Sequence, residues 1–148
     1  MDETGLMEGL GINGLCVGLS ATKTALVKHP ELRIWTTIVE CISATGASLP
    51  PLVIFKGKDI QQQWFPDDDD ALDPLRTWRF TISENGWTSN SIALEWLMKV
   101  FIPSTTTTAT RLLVVDGHGS HETDDFMWYC YTNNIHLLFL PAYASHLL

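Results

Sequence analysis

The stretch Arg111-Leu112-Leu113-Val114-Val115-Asp116-Gly117-His118-Gly119-Ser120-His121 decides how this chain is read. It opens as a short, near-continuous apolar run, the pattern of a strand buried on both faces. It stops at a carboxylate, after which Gly117 and Gly119 let the backbone turn sharply. In open α/β sheets the carboxyl ends of buried strands are where ligands sit. Asp116, with two histidines beside it, is therefore a candidate for chemistry. From this stretch alone the plainer reading stands ahead, an aspartate that only closes a strand-to-loop turn through its own side chain. The rest of the chain has to separate the two.

Outward from this stretch the pattern is regular. Downstream, Glu122, Asp124 and Asp125 suit the first turn of a helix, where carboxylates oppose the helix dipole. Phe126, Met127 and Cys130 give that helix an apolar face, and Asn133-Asn134 suits its end. Ile135 to Leu140 reads as a second buried strand, broken at Pro141. Upstream, Ser104 to Thr110 is a Thr-rich connector. Before it lies the clearest helix, Thr88 to Ile102, with Thr88 or Ser89 as cap and Pro103 as stop. Its apolar residues Ala93, Trp96, Leu97, Val100 and Phe101 recur at helical spacing. Earlier still, Trp78, Phe80 and Ile82 alternate with polar residues as a half-buried strand does, and Asn85-Gly86 ends it. Thr36 to Ser43 and Leu52 to Phe55 read as a hairpin, with Pro50 and Pro51 at the entry to its second strand. Extended segments followed by helix, strand, helix, strand predict a mixed α/β sheet with helices packed on it.

The 148 residues suit one domain with a core of its own, with hydrophobic content of 45% and charged content of 18%. No apolar run approaches the length of a membrane span. The scattered Cys16, Cys41 and Cys130 suggest reduced thiols in a cytosolic or nuclear protein. A net charge of −8, with nine Lys and Arg, excludes nucleic-acid binding by bulk electrostatics. A role on DNA would need a basic module elsewhere, or metal ions bridging carboxylates to phosphates.

Three other patterns are weaker. Gly9-Leu10-Gly11-Ile12-Asn13-Gly14 matches the dinucleotide fingerprint, but no apolar strand precedes it and no helical pattern follows. It reads as a Gly-rich connector, with a nucleotide-cofactor enzyme as the remote alternative. Asp67-Asp68-Asp69-Asp70 lacks the alternating spacing of a calcium loop and reads as solvated. His118, His121 and Cys130 would make three zinc ligands, with no fourth at suitable spacing.

Several stretches, taken together and in order, resemble one family. They are Asp2-Glu3-Thr4-Gly5, Pro50 to Gly57, Gly86-Trp87-Thr88, Val114 to His121, and Leu140 to Leu148. They look like the DDE endonuclease domain of pogo- and Tigger-type transposases, the group that includes centromere protein B. The resemblance covers essentially the whole chain. It implies an α/β, ribonuclease-H-like mixed sheet flanked by helices, with residues 1–148 as a single partial domain. It also implies that Asp2 and Asp116 are the first two catalytic, metal-holding carboxylates, ending two neighbouring strands. The ions would be two Mg²⁺ (or Mn²⁺), the substrate DNA and the compartment the nucleus. Glu3, His118 and His121 are candidates for supporting roles, with Glu3 expected on the opposite strand face from Asp2, and the plainer reading of the two histidines is as ordinary loop residues. The family pattern places a strand before Asp2, and a third carboxylate and a helix beyond Leu148. By that pattern the first strand is incomplete, the C-terminal helix is missing, and residues 1–148 alone are expected to be inactive or nearly so. The alternative is a non-catalytic protein-interaction module on the same fold.

Overall fold

Residues 34–40 and 52–56 are dense in β-branched side chains, which pack well on a pleated surface. They form β2 (Ile34–Glu40) and β3 (Leu52–Lys56), antiparallel, with Thr37 opposite Ile54 and Val39 opposite Leu52. Gly46, at φ +87°, turns the chain between them, as the expected hairpin requires. This is a computed structural model that describes residues 1–8, 34–65, 75–105, 109–117 and 119–140. The Gly9–Gly14 pattern, Cys16, the acidic run 67–70, His118 and the closing stretch 141–148 lie outside those residues.

Among the described residues, six strands form two sheets. The first has the order β1-β2-β3-β4, with β1 (Asp2–Glu8) antiparallel to β2, and β4 (Arg79–Ser83) parallel to β3. The second pairs β5 (Arg111–Asp116) with β6 (Ile135–Leu140) in parallel, through helix α3 (Asp124–Thr132), a βαβ unit. The expected mixed α/β, ribonuclease-H-like architecture is present. One detail differs. The family pattern has a strand ending at Asp2, whereas β1 runs forward from Asp2 along the free edge of β2.

The helical stretch 90–104 binds the sheets together. It begins as α1 (Asn90–Trp96), capped by the Ser89 hydroxyl, which accepts the Ile92 N–H at 3.3 Å. It widens into a π turn over Leu97–Phe101 and closes as the short α2 (Ile102–Ser104). Pro103 sits inside that last turn, so the helix ends at Ser104, two residues later than the proline stop predicts. One apolar cluster joins Val39, Leu52 and Ile54 of the first sheet to Leu113, Val115 and Ile135 of the second. Ile92, Trp96, Leu97 and Val100 fill the space between. Arg111 fastens the entry to β5: it donates to the Thr105 hydroxyl at 2.9 Å and to the Asn133 carbonyl at 2.5 Å.

Burial of β5 and β6 on both faces is not what the structure shows. Leu113 and Val115 are buried, but Leu112 is 63% exposed, and Leu138 of β6 is 48% exposed. Helices pack on the core face of these strands, and no described element covers the other. An apolar run with one covered face looks the same in sequence as one with two. The first sheet has a better-filled outer side, where Phe55, Trp64, Phe65, Trp78 and Phe80 form an aromatic cluster with Phe65 set edge-on to Phe80 at 4.8 Å.

Urea titration should separate the two faces. Leu97→Ala, which empties fully buried volume, is expected to cost about 3 kcal/mol, and Leu112→Ala to change stability by under about 0.5 kcal/mol. Gly86 has φ +82°, and an added Cβ would fall 2.4 Å from the Trp35 carbonyl oxygen. Gly86→Ala should therefore cost about 2 kcal/mol in the same assay.

Candidate active site

Two strands from different sheets meet at one point. The Met1 nitrogen donates to the Val114 carbonyl at 3.0 Å, which brings the start of β1 beside the end of β5. Side chains alternate along β1, so Asp2 and Glu3 leave it on opposite faces. Glu3 turns inward: its side chain is 14% exposed, and Oε1 lies 3.5 Å from Nε2 of His121. Asp116 ends β5 with Oδ1 3.7 Å from the same nitrogen. Both distances are charge contacts, longer than ordinary hydrogen bonds. Asp2 is solvent-exposed, and its Oδ1 accepts the Glu3 N–H at 2.8 Å. The structure thus gathers Glu3, Asp116 and His121 and leaves the Asp2 side chain outside that group.

Local chemistry explains how His121 comes to be there. After Asp116 and the bend at Gly117, residues Gly119–His121 form a 3₁₀ turn. Thr123 then caps α3, its hydroxyl accepting the Phe126 N–H at 3.4 Å. The cap fixes the angle at which α3 leaves, and fully buried Phe126 lies against the imidazole with ring centroids 5.5 Å apart. The result is a histidine with no solvent exposure. Sequence reasoning offered His121 as a supporting group or an ordinary loop residue and missed its burial. The available signal was a capping threonine two positions on, followed by an aromatic in the first turn. Asp124 and Asp125 remain on the surface of that turn, as expected.

The pocket-like arrangement of Asp116 is specific to one oxygen. Oδ1 is buried and has no hydrogen-bond partner among the described residues, while the side chain as a whole is 37% exposed. A carboxylate that merely closed a turn would spend its oxygens on nearby backbone N–H groups. Two of the motif stretches also touch. The Trp87 ring would lie 3.2 Å from a Cβ on Gly5, so the absence of a side chain at Gly5 is what admits that ring against β1. The Trp35 ring lies tilted against Trp87, with centroids 5.3 Å apart, and also borders Gly5.

Residues 32–148 match the family model described as DDE superfamily endonuclease. The chain belongs to that family. The match takes in Asp116 and His121 of the DDE domain and begins downstream of Asp2 and Glu3. The domain is also similar, at 37% identity over 151 residues, to a protein of Cochliobolus lunatus described as MFS-type transporter clz9. That alignment covers 99% of this chain and 16% of the relative, so the chain spans a small part of that protein's length. Among the described residues no helix is long and apolar enough to cross a membrane. No solved structure matches the chain.

DDE endonucleases work with divalent metal ions. Hard cations take oxygen ligands, and one or two carboxylates commonly suffice alongside substrate phosphates. The free oxygen of Asp116 and the inward carboxylate of Glu3 fit that chemistry, although no group of three potential ligands surrounds one point among the described residues. Cys130 belongs to the apolar core. Burial raises its thiol pKa to about 11, against a smaller opposing pull from Arg111. The thiolate, which is the reactive form, is therefore scarce at neutral pH. At pH 8 the folded protein should react with a thiol reagent at Cys130 far more slowly than the urea-unfolded chain, and mass mapping of the labelled peptide checks this.

Proposed function

We propose that this DDE domain serves metal-dependent cleavage and strand transfer of DNA phosphodiester bonds, as part of a transposase-derived protein, with Asp116 as its central metal-holding residue. The supporting observation is the buried Oδ1 of Asp116 at the carboxyl end of β5, which has no hydrogen-bond partner among the described residues and shares the His121 Nε2 with the Glu3 carboxylate. A bound Mg²⁺ or Mn²⁺ would supply an activated water and stabilise the leaving oxygen. Asp116 presents one oxygen from the end of a rigid strand, and the exposed remainder of its side chain opens to solvent. Glu3 adds a second carboxylate from β1, and Asp2, one residue earlier, is the alternative donor that the transposase resemblance favours. The first turn after β5 holds these groups without competing for them, because Thr123 caps its helix instead of Asp116.

DNA is the partner in this reading, and the nucleus its compartment. A chain of net charge −8 holds DNA through metal-bridged phosphates and basic surfaces elsewhere in the protein. With two carboxylates gathered among the described residues, residues 1–148 alone should nick DNA weakly. A second reading, a non-catalytic interaction module, is favoured by the exposed Trp128 and Tyr131 of α3 together with Leu112 and Leu138.

Thermal unfolding with and without Mn²⁺ discriminates the two, because an ion bound by the folded state alone raises Tm. The wild-type domain is expected to gain several degrees in millimolar Mn²⁺, and Asp116→Asn to gain none while keeping its metal-free Tm. Any slow nicking of supercoiled plasmid should vanish in the same variant. Equal Mn²⁺ responses in both proteins would remove the catalytic reading and leave the interaction module.

A further inference from the structure

We propose that His121 is a positioning residue that sets the spacing of the Glu3 and Asp116 carboxylates across the junction of the two sheets. The inference rests on the metal-site reading above for its purpose, but its geometry stands apart from it. Glu3 belongs to the first sheet and Asp116 to the second, and no strand ladder joins β1 to β5 among the described residues. The Met1–Val114 hydrogen bond aligns the two backbones but reaches neither carboxylate. His121 Nε2 lies 3.5 Å from one and 3.7 Å from the other, and its side chain is completely buried. Two carboxylates facing each other in a partly buried site repel. An imidazole N–H set between them turns its positive edge to both and offsets that repulsion before any cation arrives.

The imidazole can do this because it is itself fixed. It stands on the 3₁₀ turn that leaves β5, four residues past Gly117, and Phe126 lies against its ring. Asp116 and His121 thus lie five residues apart in the chain, and the Glu3 carboxylate lies beside the imidazole. A histidine present only to fill volume would serve as well with its nitrogens turned from the carboxylates. This one places a single nitrogen, Nε2, against both of them.

The test compares His121→Gln, which keeps a donor near the Nε2 position, with His121→Phe, which keeps a ring and loses both nitrogens. His121→Met, flexible and similar in size, replaces the phenylalanine variant if that one does not fold. Without metal, amide hydrogen exchange at Glu3 and Thr4 should rise about tenfold in the ring-only variant, and stay within about twofold of wild type in the glutamine variant, with α1 unchanged in both. With Mn²⁺, the rise in Tm should persist in His121→Gln and be lost in His121→Phe. Wild-type exchange at Glu3 and Thr4 in every variant would overturn the proposal. So would an equal rise in the glutamine and phenylalanine variants, which marks packing alone. If wild type shows no Mn²⁺ response, the metal reading fails by itself, and the exchange comparison still decides the role of His121.

Discussion

The fold depends on one shared apolar layer. Two sheets that exchange no ladder of hydrogen bonds among the described residues are held in register by the side chains between them. Leu52 and Ile54 of the first sheet and Leu113 and Val115 of the second share one cluster with the helical stretch. Because that layer is dry and close-packed, it is poorly deformable, and small shifts in it move whole strands. The relative position of β1 and β5, and so of Glu3 and Asp116, follows from how Trp96, Leu97 and Val100 fill it. The candidate site sits at the edge of this layer, where packing fixes backbones and the Asp116 side chain stays partly exposed.

Much of this was legible in the residues. The spacing of Ala93, Trp96, Leu97, Val100 and Phe101 located the long helix, and the run ending in Asp116 located the strand that carries the site. The β2–β3 hairpin and the βαβ unit through α3 followed from turn residues and apolar periodicity. Other features were not legible, for physical reasons. A run such as Leu112 to Val115 carries no mark of whether one face or both will be covered, since that depends on elements distant in sequence. The inward turn of Glu3 depends on where β1 begins to pair, and a one-residue change in register exchanges Glu3 with Asp2. His121 looked like a loop residue because its burial comes from Phe126, beyond a cap, and from a strand more than a hundred residues earlier.

The acidic balance of the chain takes on a local meaning in this fold. Glu3 and Asp116 point into a site with a partly buried floor, while Asp124 and Asp125 stay on the surface at the start of α3. Carboxylates of the first kind are costly to hold close together without a counter-charge; those of the second are solvated and favour the helix dipole. Summed charge alone does not distinguish them.

The π turn at Leu97–Phe101 has a geometrical consequence of its own. The buried residues of this stretch fall in pairs, Ile92-Ala93, Trp96-Leu97 and Val100-Phe101, at a strict four-residue repeat. On an ordinary α-helix such a repeat would veer round the axis by about 40° each time, because every residue advances about 100°. A stripe that veered would face the first sheet at one end and solvent at the other. The wider winding of the π turn takes up the surplus residue, so the stripe runs straight along the helical stretch. Deleting one residue from 97–99 would restore regular winding and leave Val100 seven positions after Ile92, about 20° from its line.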